Sequence, residues 1–315
     1  MKLSRFFAIS VIAFAIHFSL LACEQRVTSK MEDVAQTASV LAEKVGAENV
    51  LIAFDIDNTL LAMDGDLGSD QWFSWQEENL FSGNGNKSVL VANNFAGLLK
   101  VQGLLYSLKP MSPPEDKTPF LVRSLQAKGH KVISLTSRGY DFQYSTLREL
   151  LRNGINFSRA ALAPIEKFSK PAKPYDPKTV RAVYGFSSED MKQLKLNREP
   201  REVLYADGLF FMAGQNKGVM LQILLHESGF MPKAVIFVDD NASHTAAVYE
   251  TCHHLGVHVV TFQYIHEDKR VVAFNKSDKS AVIREWNELK HKLDNEGLVE
   301  RGVVAKVINF FKEAI

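Results

Sequence analysis

Only two cysteines occur in 315 residues, Cys23 and Cys252, which excludes both a disulfide framework and a zinc cluster built on thiolates. Net charge is nearly absent as well. Lys plus Arg number 37 against 36 Asp plus Glu, a balance of +1, so no nucleic-acid partner is expected, because such binders carry a strong basic excess. No internal repeat is visible. The longest apolar run, Phe6 to Ala22, has 17 residues and is too short and wrongly flanked for a membrane span. Disorder is excluded too: a chain that is 46% hydrophobic, with 21 Phe, 8 Tyr and 3 Trp, buries enough apolar surface to offset its chain entropy.

The same N-terminal run has a positive start, Lys2 and Arg5, and no acidic residue before Glu24, so residues 1–22 read as a secretory signal. Leu20-Leu21-Ala22-Cys23 resembles the cleavage box of bacterial lipoproteins. That resemblance implies cleavage before Cys23, lipidation of Cys23 and attachment to a membrane through the lipid anchor, with Glu24 in place of Asp favouring an outer-membrane destination. The expected product is an exported, periplasm-facing or cell-surface lipoprotein, with residues 23 to about 29 as a polar tether. Cys252 is then left as a small core residue of a predicted helix.

Past the tether, Ser29-Lys30-Met31-Glu32 has a capping-box pattern, and Met31, Val34, Ala38, Leu41 and Val45 follow at helical spacing. Four short apolar runs mark strands: Val50 to Phe54, Lys131 to Leu135, Ala234 to Val238 and Val257 to Phe262. None alternates, as expected of parallel strands buried on both faces. Helical segments lie between them, roughly Val89 to Leu108, Thr118 to Lys128, Phe142 to Asn153, Lys217 to Glu227 and His244 to Leu255. Alternation of strand and helix predicts an α/β fold, a doubly wound Rossmann-like core around a parallel sheet. The core is expected over 49–60 and 117–275, after a tether and N-terminal helix at 23–48. Residues 61–116, with Trp72, Phe73, Trp75 and Phe81, read as a small helical cap. Residues 159–202 are proline-rich, with nine Lys or Arg against five Asp or Glu over 166–201, and read as an irregular, solvated surface excursion. C-terminal helices are expected over 276–315.

What stands at the strand ends carries the chemistry. Phe54 is followed by Asp55-Ile56-Asp57-Asn58-Thr59, Leu135 by Thr136-Ser137-Arg138, and Val238 by Asp239-Asp240-Asn241. Ligands of open parallel sheets bind beyond the carboxyl ends of the strands, so these carboxylates and hydroxyls are expected on one edge. Four converging carboxylates repel one another unless a cation joins them, and hard oxygen ligands select Mg2+.

Asp55-x-Asp57-x-Thr59, the strand-end Thr136, Lys217 at a helix start and the pair Asp239-Asp240 together resemble the four motifs of the haloacid dehalogenase (HAD) superfamily of phosphohydrolases. Leu67-Gly68-Ser69-Asp70-Gln71-Trp72 and Gln215-Asn216-Lys217-Gly218 look more narrowly like an uncharacterised bacterial branch of it. The resemblance spans about residues 45 to 265 and implies roles. Asp55 would attack phosphorus and Asp57 would move protons. Thr136 and Lys217 would hold phosphoryl oxygens. Asp55, Asp239 and Asp240, with the Asp57 carbonyl, would bind Mg2+, and Thr59 would shape the turn. Asp70, Gln71, Trp72 and Arg138 are possible substrate contacts, although the aromatics fit a cap core better. The function so implied is a Mg2+-dependent phosphatase acting on a small phosphorylated substrate through an aspartyl-phosphate. A phosphotransferase or phosphomutase, and a catalytically weak surface lipoprotein that binds a partner, stay open.

Overall fold

A computed structural model of the protein describes residues 23–295. The expected signal at 1–22 and the helix expected at 302–315 lie outside the described residues. Strand β1 (Cys23–Thr28) leads through helix α1 (Met31–Val45) to β2 (Val50–Phe54). Then come β3 (Ala62–Met63), α2 (Asp70–Phe81), α3 (Phe95–Leu108), β4 (Met111–Ser112), α4 (Thr118–Ala127), β5 (Lys131–Thr136) and α5 (Gln143–Arg152). They are followed by α6 (Val180–Tyr184), α7 (Ser188–Gln193), β6 (Leu204–Ala206), β7 (Leu209–Phe211), α8 (Lys217–Ser228) and β8 (Ala234–Asp239). The last elements are α9 (Ala242–Glu250), α10 (Cys252–Leu255), β9 (His258–Tyr264), α11 (Asp268–Lys276) and α12 (Ser280–Asn295).

Seven strands form one sheet in the order β1-β9-β8-β2-β5-β7-β6, parallel throughout except for β6 against β7. The fold is therefore a Rossmann-like α/β sheet flanked by helices. Side-chain alternation along the strands divides its core. Val50, Ile52 and Phe54 of β2 join Ala234, Ile236 and Val238 of β8 in one apolar cluster with α1 and α4. Leu51 and Ala53 join Ile133, Leu135, Val235 and Phe237 in a second cluster under α8. Both faces are dry, which is why these strands read as unbroken apolar runs.

Several expectations need correction. Residues 23–28 are not a tether: they pair in parallel with β9 from Cys23 opposite Val259 to Thr28 opposite Tyr264. Cys23 is disulfide-bonded. A sulfur closed in a disulfide is not available to a thioether-linked lipid. The Ser29 capping box does not form. Lys30 occupies the cap position of α1 without a side-chain cap bond, and the Met31 N–H donates to Glu115 Oε1 at 2.7 Å. The 159–202 excursion is no solvated loop either, because Phe168, Tyr175, Val180, Tyr184, Phe186 and Leu196 from it are buried in the second cluster. The helix expected from Val89 starts at Phe95, where the Asn94 side chain accepts from the Gly97 N–H at 2.8 Å. In sequence, α2 and α3 lie between β3 and β4, which pair Ala62 with Ser112 and Met63 with Met111.

Candidate active site

From β2 the chain leads one way to β5 and, after β7, returns to β8 on the other side of β2. Such a switch point opens a crevice at the carboxyl ends of the strands. Asp55 stands at its floor: the Asp55 N–H donates to Val238 O at 2.8 Å, carrying the β2–β8 ladder one residue past β2. There the chain turns sharply. Asn58 has φ +54, a left-handed conformation that Asn tolerates, and the N–H groups of Thr59, Leu60 and Leu61 all point to Ile56 O. Thr59 shapes this turn as expected, its Oγ1 accepting from the Asp240 N–H at 3.1 Å, while Asn58 Nδ2 reaches Asp240 Oδ2 at 3.3 Å.

Charge is concentrated here. Lys217, the first residue of α8 and fully buried, places Nζ 2.6 Å from both Asp55 Oδ1 and Asp239 Oδ2. Burial works against the ammonium, but Asp239 and Asp55 outweigh it and push its pKa up. Gly218 lets α8 come this close: a Cβ there would lie 2.2 Å from Ala247 O of α9. His244 Nδ1 is 3.1 Å from Asp239 Oδ1. Burial raises the Asp239 carboxyl, yet Lys217 and His244 bring its pKa below the ordinary value. Asp55 goes the other way, pushed up to about 6 by burial and by Asp239 and Asp57 against the opposing pull of Lys217. Asp240 is pushed well up by burial and by Asp70, Asp239 and Asp55.

Asp55, Asp239 and Asp240 each offer a carboxylate oxygen, and the three oxygens lie within 4.8 Å of one another. This cluster could hold a metal ion. Its donors are all hard oxygens, and burial together with the neighbouring carboxylates raises both Asp55 and Asp240.

The Asp57 carboxylate points elsewhere. Arg138 grips it with two hydrogen bonds, Nε to Oδ2 at 2.9 Å and Nη2 to Oδ1 at 2.7 Å, and Tyr106 Oη donates to Oδ1 at 3.3 Å. The guanidinium lies 3.8 Å from the Tyr106 ring centroid and also bonds Thr146 Oγ1. Arg138 is thus buried and committed, not a substrate contact. Thr136 is likewise fully buried, and its Oγ1 accepts from the Arg138 N–H at 3.2 Å. The neighbouring Ser137 lines the cleft instead, with a buried Oγ that has no hydrogen-bond partner among the described residues. Trp72 is 1% exposed in the apolar core and cannot stack on a substrate. Gln71 is buried with both amide atoms unpartnered. Of the four possible substrate contacts, only Asp70 lines the cleft. Its carboxylate meets the water of the cleft, but the enclosing walls together with Asp57, Asp55 and Asp239 push its pKa up to about 7.

Tyr106 and His244 were not among the residues expected at the site, and Ser137 was expected at its edge with no role of its own. Ser137 follows Thr136 directly and His244 lies one helical turn past Asp240, so proximity to the motifs was a usable signal for both. Tyr106 arrives from α3, far away in sequence, and had none.

The cleft above this floor has a volume of about 1080 Å3 and is walled by α2, α3 and α5. The chain belongs to the family described as "Protein of unknown function (DUF2608)", whose model matches residues 27–299. No curated protein and no solved structure matches it.

Proposed function

We propose that this member of the DUF2608 family is a Mg2+-dependent phosphomonoesterase of the haloacid dehalogenase type, exported to an oxidising compartment. The observation that carries this reading is the meeting of Asp55, Lys217, Asp239 and Asp240 at the switch point of the sheet, in the chain order of the first, third and fourth motifs. Asp55 Oδ1 accepts from Lys217, which leaves Oδ2 as the oxygen to attack phosphorus. A new bond then joins Asp55 to phosphorus as the bond to the alcohol oxygen breaks. That oxygen takes up a proton and leaves. A water molecule next attacks the acyl phosphate, loses its proton, and releases inorganic phosphate and free Asp55.

Two carboxyls are placed to move those protons. With both oxygens already accepting from Arg138, Asp57 is oriented as an acceptor, suited to receive the proton of the attacking water. Asp70 of α2 lines the cleft and reaches its water, which suits it to meet the leaving oxygen. Lys217 lies beneath Asp55 and Asp239, where it offsets charge that would repel an incoming phosphate. Ser137 Oγ is free to donate to a phosphoryl oxygen. Asp55, Asp239 and Asp240 would hold Mg2+, with the Asp57 carbonyl as the further ligand the resemblance implies; when bound, the ion supplies positive charge to the phosphoryl oxygens.

Turnover of p-nitrophenyl phosphate tests this reading. Activity should appear with Mg2+, vanish with EDTA and be lost in Asp239→Ala. Full turnover by a carefully demetallated sample would overturn the metal assignment, and no turnover with any phosphomonoester and any divalent ion would overturn the function.

A further inference from the structure

The cleft is far larger than a phosphoryl group needs. Pockets of roughly 300–1,000 Å3 enclose drug-sized ligands, and this one is about 1080 Å3. Its walls are helix faces. From α2 come Asp70, Phe73, Ser74 and Glu77, spaced three and four residues apart as one side of a helix. Helix α3 adds Phe95, Leu99 and Gly103 at spacings of four, and α5 adds Leu147 and Leu151. Phe73 and Phe95 meet edge to face with centroids 6.2 Å apart. Gly103 brings α3 against Phe142, since a Cβ there would stand 2.9 Å from the Phe142 ring. Phe73, Phe95, Leu99 and Leu147 are only half-buried and Leu151 is 47% exposed, so apolar surface faces the water of the cleft.

Cations along these walls are mostly committed. Arg148 donates to Ser107 O at 2.6 Å, Tyr106 O at 2.8 Å and Glu149 at 3.0 Å, and Arg201 to Gly214 O at 2.9 Å. Lys100 and Arg201 are exposed at the rim, and Glu77, Asp141 and Glu202 line the same cleft. A second phosphate or a carboxylate on the substrate would find acids here and little to hold it. Polyhydroxylated sugars would meet apolar side chains where they need hydrogen-bond partners.

We propose that the substrate is the monophosphate of an uncharged apolar alcohol, with its phosphate on the acidic floor and its hydrocarbon between α2, α3 and α5. This rests on the phosphatase reading, and it assigns what that reading leaves open, the leaving group.

The experiment compares methyl, butyl and hexyl monophosphate, with glucose 6-phosphate as the polar control, on the full chain with Mg2+. Burial of a methylene is worth about fourfold in an equilibrium at most, so kcat/KM should rise about two- to fourfold per carbon and about thirtyfold or more from methyl to hexyl. Glucose 6-phosphate should fall near the methyl ester. Leu99→Asp and Leu151→Asp should each flatten the series. In parallel, 1-hexanol is titrated calorimetrically, which needs no turnover. A flat series, or preference for the sugar phosphate, overturns the inference while leaving the phosphatase intact. Binding of hexanol, weakened by Leu99→Asp, with no ester hydrolysed would instead support the apolar cleft and sink the phosphatase. If hexanol does not bind wild-type protein, the apolar site is overturned directly.

Discussion

Arg138 holds Asp57 through both carboxylate oxygens, at 2.9 and 2.7 Å, while only 3% of its own side chain is exposed. The pair joins the loop after β2 to the loop after β5 and is braced by the Tyr106 ring lying 3.8 Å from the guanidinium carbon. Removing one partner of a buried ion pair leaves an uncompensated charge, at a cost of about 3–5 kcal/mol. Arg138→Ala should therefore lower unfolding stability by roughly that amount in a denaturant titration. Arg138→Lys should fold better yet lose at least about tenfold in kcat, because a lysine cannot make the two-pronged contact that aims Asp57. Wild-type kcat in Arg138→Lys would show that the orientation of Asp57 does not matter.

Gly218→Ala tests how Lys217 reaches the carboxylates. The added methyl would lie 2.2 Å from Ala247 O, a backbone atom that cannot swing away, so α8 and α9 must separate. Overpacking of this kind costs about 1–3 kcal/mol. Both thermal stability and turnover should fall. An unchanged melting temperature would contradict the packing of these two helices.

Glu149 gives the fold a pH dependence. It is buried in α5 and accepts from the Met111 N–H at 2.8 Å, from Arg148 Nε at 3.0 Å and from Arg152 Nε at 3.0 Å. Burial raises its carboxyl, but the bonds from Arg152, Met111 and Arg148 outweigh that and bring the pKa below the ordinary value of 4.5. A depressed folded-state pKa contributes stability that is complete above the unfolded-state value and lost as pH falls through the folded one. Wild type should thus exceed Glu149→Gln in stability at pH 7, by about 1–3 kcal/mol for hydrogen bonds to a charged group. That margin should shrink as pH drops below about 4.5. A margin independent of pH between 7 and 3 would rule out the ionised carboxylate as its source.

Cys23 makes a prediction about the mature chain. Strand β1 starts at this residue, and its sulfur is in a disulfide. Mass spectrometry of the protein purified from its native host should find Cys23 oxidised and without acyl chains. Reduction should lower the melting temperature, as expected when a covalent cross-link is removed. An acylated Cys23 at the N-terminus would contradict this arrangement.

How far the sequence carries depends on what each element is buried against. β2, β5, β8 and β9 were legible to within two residues because apolar side chains cover both faces of each, leaving continuous runs. β6 and β7 have three residues each and pair across Asp207 and Gly208, too short for any periodicity. β1 was hidden because its residues from Cys23 to Val27 are half-buried or exposed at the sheet edge and carry charge, as Glu24 and Arg26 do. The start of α1 at Met31 was legible but its cap was not, since the partner of the Met31 N–H is Glu115, 84 residues on. Among site residues, Asp55, Asp239, Asp240 and Lys217 stand together because strand ends and a helix start place them in register. Thr136 and Arg138 were expected to face a substrate and instead brace the turn and Asp57, a distinction that depends on side-chain direction one residue at a time.

The account rests on Asp55 as the atom donor to phosphorus. The protein with Mg2+ and p-nitrophenyl phosphate should be quenched in acid during turnover, digested, and its peptides weighed. A phosphoryl group on the peptide containing Asp55, absent in Asp55→Asn together with at least a thousandfold loss of kcat, is the predicted result for a covalent catalyst, by an order-of-magnitude estimate of about that size. Turnover by Asp55→Asn within about tenfold of wild type, with that peptide unmodified, would contradict the central claim.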